Sequence, residues 1–299
     1  MNRSVPRTLH ALLHTIVDYA GLFPPAGLGM EAAVRNYAAY RGDPHAWMLG
    51  RFVVPVARLD ELTEAMRAAR VVEAEHQWRV AALVGDDVES DLGRVDAFNR
   101  AARGGVVDAL EVKTATRTDI RRVANALRPG LRAYCEIPAA DDPRDLISAI
   151  GEVKLRAKIR TGGVTAAAFP SVEQVARFIR LCYAAGVGFK ATAGLHHPLR
   201  AEHALTYASD APRGVMHGFM NVFLTAAFHF NGLTIADAKT LLEMTAVDDI
   251  QFSDDFLVWR DYRVSRDELT TIRRRSAISF GSCSFREPVD DLSKAGLLT

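Results

Sequence analysis

Residues 157–198 read AKIRTGGVTAAAFPSVEQVARFIRLCYAAGVGFKATAGLHHP, and this stretch decides the fold. It parses as strand, helix, strand. Ser171 followed three residues later by Gln174 is a capping-box pair, which opens the helix just after Pro170. Each strand carries a lysine where it is about to end, Lys158 in the first and Lys190 in the second. The two are 32 residues apart, about the length of one βαβ unit, so both side chains are expected at the same mouth of a parallel barrel. The expected architecture is an α/β fold, a TIM (β/α)8 barrel.

Length and composition agree with that. A chain of 299 residues suffices for one large barrel, so residues 1–299 are expected to form a single domain. An apolar fraction of 49% with 24% charged residues is that of a globular protein with a full core. Thirty-seven basic against 36 acidic residues give a net charge of +1, which argues against nucleic acid or an acidic membrane surface as a partner. Cys135, Cys182 and Cys283 are scattered and make no disulfide or metal pattern, so a reducing, cytoplasmic setting is expected. The opening MNRSVPRTLHALLHTIVDYA lacks the long apolar run of a signal peptide, and no apolar stretch reaches the ~18 residues of a membrane span.

Two amines in one pocket have a chemical use. An ammonium is no nucleophile, but a neighbouring positive charge and a desolvating wall lower its pKa, and the free amine then attacks a carbonyl. The iminium that results is an electron sink. Lys158 is followed by Ile-Arg-Thr-Gly-Gly, and Gly-Val-Gly-Phe-Lys190 by Ala-Thr-Ala-Gly. Together they resemble the paired lysine strands of deoxyribose-phosphate aldolases, which are Schiff-base (class I) aldolases. The resemblance implies that Lys158, in a Lys-x-x-Thr-Gly pattern, forms the imine, and that Lys190 tunes it and helps move protons. Beside this stands the plainer reading of two solvated lysines at strand ends.

The remaining strands can be placed in the same order. His10 to Tyr19 is an amphipathic lead into a first strand that ends in Asp18-Tyr-Ala-Gly-Leu-Phe-Pro-Pro25, similar to the family's opening strand. His10, His14 and Asp18 would share a face if the lead were helical, but Val-Asp-Tyr and Gly-Leu-Phe-Pro-Pro fit a strand and loop better. Met48 to Val56, Trp78 to Gly85, Val106 to Thr114 and Leu131 to Pro138 read as strands two to five. Helices are expected over 30–40, 59–74, 91–103 and 118–127.

On strand four, alternation sends Ala109, Glu111 and Lys113 one way and Asp108, Leu110 and Val112 the other. The aldolases use a carboxylate here for proton relay. Glu111 fits by parity and Asp108 fits the motif, so both stay candidates; Glu111 with Lys113 also fits a structural ion pair. Glu136 ends strand five, either as a proton shuttle or as a counter-ion to Lys113 or Lys190. Cys135 reads as a small buried hydrophobe.

On strand six Arg160 shares the parity of Lys158, adding a positive charge that favours an anionic substrate. Thr161-Gly162-Gly163 lets backbone N–H groups approach a ligand. After Lys190 the sequence departs from the family, whose Gly-Gly-x-Arg is here Ala193-Gly194-Leu195-His196-His197. A phosphate-cradling glycine and an arginine are missing, which puts a sugar phosphate in doubt. Residues 198–275 form an insertion between strands seven and eight, with His217 and three expected helices, 222–230, 234–244 and 265–275. Arg273, Arg274 and Arg275 read as a solvated helix end. The insertion is expected as a lid over the mouth or as a contact between copies in a homo-oligomer. Ser276 to Phe285 is strand eight, similar to the family's Phe-Gly-Ala-Ser-Ser turn, with Gly281, Ser282 and Ser284 suited to an anion. A nucleophilic Cys283 would need a base that the sequence does not identify.

The leading expectation is a carbon–carbon lyase acting on a small, anionic carbonyl compound, with no cofactor and no metal. Lys158, Lys190, Glu111 or Asp108, and Glu136 carry the chemistry. Asp18, Lys113, Arg160, Thr161, Gly162, Gly194, His196, His197, His217, Gly281 and Ser282 face the substrate. The alternatives are a metal-assisted hydrolase or isomerase using His196, His197 and His217, for which no acidic ligand is evident beside the histidines, and a phosphate-binding barrel of other chemistry.

Overall fold

The runs read as barrel strands are short and apolar on both faces, as strands lined by helices outside and packed side chains inside must be. The computed structural model describes residues 5–71, 77–101, 104–139 and 142–298. Its strands in chain order are β1 Val17–Tyr19, β2 Leu49–Pro55, β3 Trp78–Leu83, β4 Gly105–Lys113, β5 Arg132–Glu136, β6 Arg156–Arg160 and β7 Phe189–Thr192. After these come β8 Ala201–Ala204, β9 Arg213–Met216, β10 Ile250–Phe252, β11 Phe256–Trp259, β12 Tyr262–Ser265 and β13 Ala277–Ser282. β1 to β7 and β13 are all parallel and close into an eight-stranded TIM barrel.

The first helices are α1 Arg7–Leu13, α2 Met30–Arg41, α3 Leu59–Ala68, α4 Val88–Ala101, α5 Arg117–Ala126 and α6 Arg144–Glu152. They are followed by α7 Val172–Ala184, α8 Phe219–His229, α9 Ile235–Glu243, α10 Arg266–Arg275 and α11 Arg286–Lys294. The capping box of Ser171 and Gln174 forms as expected at the start of α7. The expected helix tails at 72–74 and 102–103 lie outside the described residues. Among those described, no helix is long and apolar enough to cross a membrane.

The barrel interior is layered. At the end where the strands begin, Arg51, Arg79 and Arg132 converge on Asp108. Next along these strands, two residues on from each arginine and one on from Asp108, Val53, Ala81, Ala109 and Tyr134 form an apolar layer. Above it, toward the strand C-termini, lie Asp18, Glu111, Lys158 and Lys190, all buried.

Asp108 corrects a sequence expectation. The β3–β4 register shifts between Val80 and Ala81, so Val107 and Ala109 take successive partners and Asp108 is the extra residue of a β-bulge. The bulge breaks the simple alternation and hands the carboxylate to the arginines. Asp108 accepts from Arg51 at 2.6 and 2.9 Å and from Arg79 at 2.6 Å. It sits one layer below the site and belongs to the closure of the barrel floor.

The N-terminal lead is helical before it is extended. Leu9, Leu12 and Leu13 are buried on α1, at the spacing of one helix face. The rings of His10 and His14 lie 5.6 Å apart, and His10 stacks on Trp47, whereas Asp18 enters the barrel from β1, so the three make no cluster.

The insertion is not purely helical, nor a lid as a whole. Every residue of α8 is buried, and Phe219 and Phe223 pack on Phe280 of β13, so α8 belongs to the outer ring of the barrel. β10, β11 and β12 form an antiparallel sheet that joins α1, with Thr8 donating to Ser253 at 2.6 Å. Only the β8–β9 hairpin and its connections reach the mouth, where His203 stacks on His197 at 3.5 Å. Arg273 is not solvated either: its guanidinium is buried and donates to the carbonyls of Leu12, His14, Ala277 and Ile278.

Candidate active site

Parallel pairing sets the centre of the site. Lys158 is the Cα partner of Lys190 across β6 and β7, and Glu136 is the partner of Lys158 across β5 and β6. Both lysine side chains turn inward and bond one carboxylate, that of Glu111 on β4. Lys158 Nζ lies 2.6 Å from Glu111 Oε2 and 2.6 Å from Glu136 Oε2. Lys190 Nζ donates to Glu111 Oε1, and to Asp18 Oδ2 at 2.7 Å. The chain of charge runs Asp18, Lys190, Glu111, Lys158, Glu136, Arg160, with Arg160 Nε 3.3 Å from Glu136 Oε1. Ser279 and the backbone N–H of Arg51 each donate to Asp18 at 2.7 Å, which fixes the far end.

Electrostatics follow from this alternation of sign. Burial works against charge on Glu111, but Lys158 and Lys190 outweigh it and hold its carboxyl down at about 2. Burial likewise disfavours the ammonium of Lys190, yet Asp18 and Glu111 overcome it and raise its pKa. Glu136 is desolvated, and Lys158 beside it lowers its pKa. A shared carboxylate, Glu111, bonds both ammonium groups, and Lys190 is a firmly charged neighbour of Lys158. Glu136 also takes a different partner from those expected, pairing with Lys158 rather than Lys113 or Lys190.

Lys158 and Glu111 open into a cavity of about 240 Å³ whose lining includes Phe23, Arg160, Thr192, His196, Gly281 and Cys283. Arg160 also borders a neighbouring hollow of about 550 Å³, with Lys113 and Glu136. Half of the Arg160 side chain is exposed, so its guanidinium is available to an anionic group entering either space. Lys190 lies deeper, its Nζ 5.5 Å from the centre of the Tyr134 ring.

Several residues expected to meet substrate instead build the walls. Thr161 is buried and donates to the carbonyls of Ala193 at 2.7 Å and Thr192 at 3.1 Å, tying the loop after β6 to that after β7. Gly162 and Gly194 let those loops touch: a Cβ on Gly162 would fall 2.8 Å from the Gly194 Cα, and Gly194 has φ +71°. His217 lies 2.7 Å from the carbonyl of Pro170 and pins the end of β9. Lys113 is exposed at the rim and makes no ion pair with Glu111.

The adjacent histidines do have acidic partners, on α11. His196 Nδ1 lies 3.1 Å from Glu287 Oε2, and His197 Nδ1 lies 2.6 Å from Asp291 Oδ2. Glu287 and Asp291 are one helical turn apart, so a single face of α11 serves both rings. Burial opposes charge on His196, but Cys283 and Glu287 raise its pKa to about 9. His203, stacked on His197, is pushed down to about 4, by burial first and then by that neighbour. His196, His197 and His217 thus go to three different partners and do not form the metal trio of the alternative reading. Glu287 was missed, although an acidic pair at i and i+4 following a His-His loop is the signal that points to it. Compared with known protein families and with curated proteins, the chain matches none.

Proposed function

We propose that this barrel is a Schiff-base-forming carbon–carbon lyase of the class I aldolase type, acting on a small carbonyl compound that carries an anionic group. One observation carries the reading: Lys158 is buried at the C-terminal end of β6, bonded to two carboxylates, and faces a cavity of about 240 Å³. The motif resemblance to deoxyribose-phosphate aldolases supports it.

In this reading Lys158 passes a proton outward through Glu136, which borders the outer hollow, and its free amine adds to the carbonyl carbon. The carbinolamine takes a proton back and loses water, leaving the iminium on Nζ. That cation draws electrons from the bond beside it, so a Cα–Cβ bond breaks or a Cα–H proton leaves to a carboxylate. Lys190 stays an ammonium, holding Glu111 in place and keeping positive charge near the developing electron pair. Arg160 binds the anionic end of the substrate.

The test is α-proton exchange. Incubated in D2O with short keto acids and aldehydes, the protein is expected to exchange the α-protons of one of them, read by proton NMR, and Lys158→Met to lose that exchange. Exchange that survives Lys158→Met would remove the mechanism.

A further inference from the structure

We propose that His196, Cys283 and Glu287 form a binding site for a divalent cation of the zinc class, at the wall of the cavity that holds Lys158. The inference rests on geometry independent of the imine reading. Three donors of different chemistry, an imidazole nitrogen, a thiol sulfur and a carboxylate oxygen, lie within 4.8 Å of one another. They come from two segments: His196 follows β7, Cys283 directly follows β13, and Glu287 lies in the first turn of α11.

Two of the three donor–donor edges approach those around a bound ion, and the third stays within 4.8 Å. Tetrahedral zinc holds nitrogen and oxygen at ~2.0–2.2 Å and sulfur at ~2.3 Å, which sets donor–donor edges of roughly 3.3–3.6 Å. Here the nitrogen–oxygen edge is 3.1 Å and the nitrogen–sulfur edge is 3.9 Å. Each falls within about half an ångström of that range. Ser282 Oγ also reaches the same His196 nitrogen, at 3.5 Å, so three neighbours converge on one Nδ1 that carries at most one proton. A cation bonding that nitrogen, the thiolate and the carboxylate resolves the crowding and balances two negative charges with two positive.

The donor set selects the ion. Thiolate and imidazole favour zinc or its transition-metal neighbours over magnesium and calcium, which take oxygen. Tyr207 Oη, 3.5 Å from Cys283 Sγ, is placed to hydrogen-bond the thiolate from the β8–β9 side. His196 and Cys283 line the cavity, so the fourth position of the ion faces its occupant, where it would take a carbonyl or carboxylate oxygen. Binding releases the Cys283 thiol proton to solvent.

Cobalt serves as the probe. Metal-stripped protein titrated with Co²⁺ is expected to take up one equivalent and to develop a near-ultraviolet thiolate-to-cobalt charge-transfer band. Cys283→Ser should abolish the band, and Glu287→Gln should keep it while weakening Co²⁺ and Zn²⁺ at least ~10-fold. Should Cys283→Ser fail to fold, the unmutated protein still decides: Zn²⁺ is expected to protect Cys283 from iodoacetamide, mapped by peptide mass spectrometry. Absence of the band, a band that persists in Cys283→Ser, or alkylation of Cys283 unaffected by Zn²⁺ would overturn the site. Lys158→Met should bind Co²⁺ as the unmutated protein does, which keeps this test apart from that of the imine.

Discussion

Replacing Glu111 by Gln is the perturbation that reads the centre of the site. The ion-pair chain balances three positive groups, the buried Lys158 and Lys190 and the half-exposed Arg160, against three negative ones, Asp18, Glu111 and Glu136. Gln removes one negative charge and turns an amide N–H₂ toward one of two ammonium groups. Breaking a buried ion pair from one side costs about 3–5 kcal/mol, because the partner stays buried and uncompensated. At about 2 °C per kcal/mol for a chain of this size, Tm should fall by roughly 6–10 °C. The double variant Glu111→Gln with Lys158→Met restores equal charge and should recover part of that loss, a coupling of about 1–3 kcal/mol. Urea unfolding of the wild type, both single variants and the double variant measures the cycle. A Glu111→Gln loss under about 1 kcal/mol, or strict additivity, would refute the reasoning that this carboxylate neutralises both lysines.

Two further outcomes follow from the layering. Asp108→Asn should cost about 2–4 kcal/mol, the lower end reflecting the half-exposed Arg79 and Arg132, yet leave Lys158 chemistry intact because Val53, Ala81, Ala109 and Tyr134 lie between; loss of α-proton exchange in this variant would contradict that separation. Stability should peak near pH 6.5 and fall on both sides. Glu111, at about 2 folded against 4.5, contributes stability above 4.5 that is lost as pH falls toward 2. His203, at about 4 against 6.5, contributes stability above 6.5 that is lost as pH falls toward 4. His196, at about 9 against 6.5, contributes below 6.5 and loses that contribution as pH rises to 9. Thermal melts from pH 4 to 9 check this, and His196→Gln should flatten the alkaline side.

Much of the barrel was legible because its strands obey local rules. Lys158 and Lys190 sit one βαβ unit apart, and the register makes them direct partners. The capping box at Ser171 formed where its spacing put it. Glu111 faced inward by parity. What escaped depends on contacts distant in sequence. A bulge at Asp108 is set by pairing with β3, which no alternation within β4 reveals. Arg273 reads as one of three exposed arginines until α10 is laid on β13 and four carbonyls meet it. The strands of the insertion are three or four residues long, too short for periodicity to mark. The carboxylate partners of His196 and His197 lie some ninety residues downstream, brought to the mouth by the last helix.

Covalent trapping addresses the central claim most directly. The protein incubated with short keto acids and aldehydes is reduced with borohydride, and the modified residue is located by peptide mass spectrometry. One reduced adduct per chain is expected, on Lys158, absent from Lys158→Met and still detectable on Lys158 in Lys190→Met. An adduct on Lys190 or on surface lysines alone, or none with any carbonyl compound tried, would contradict it.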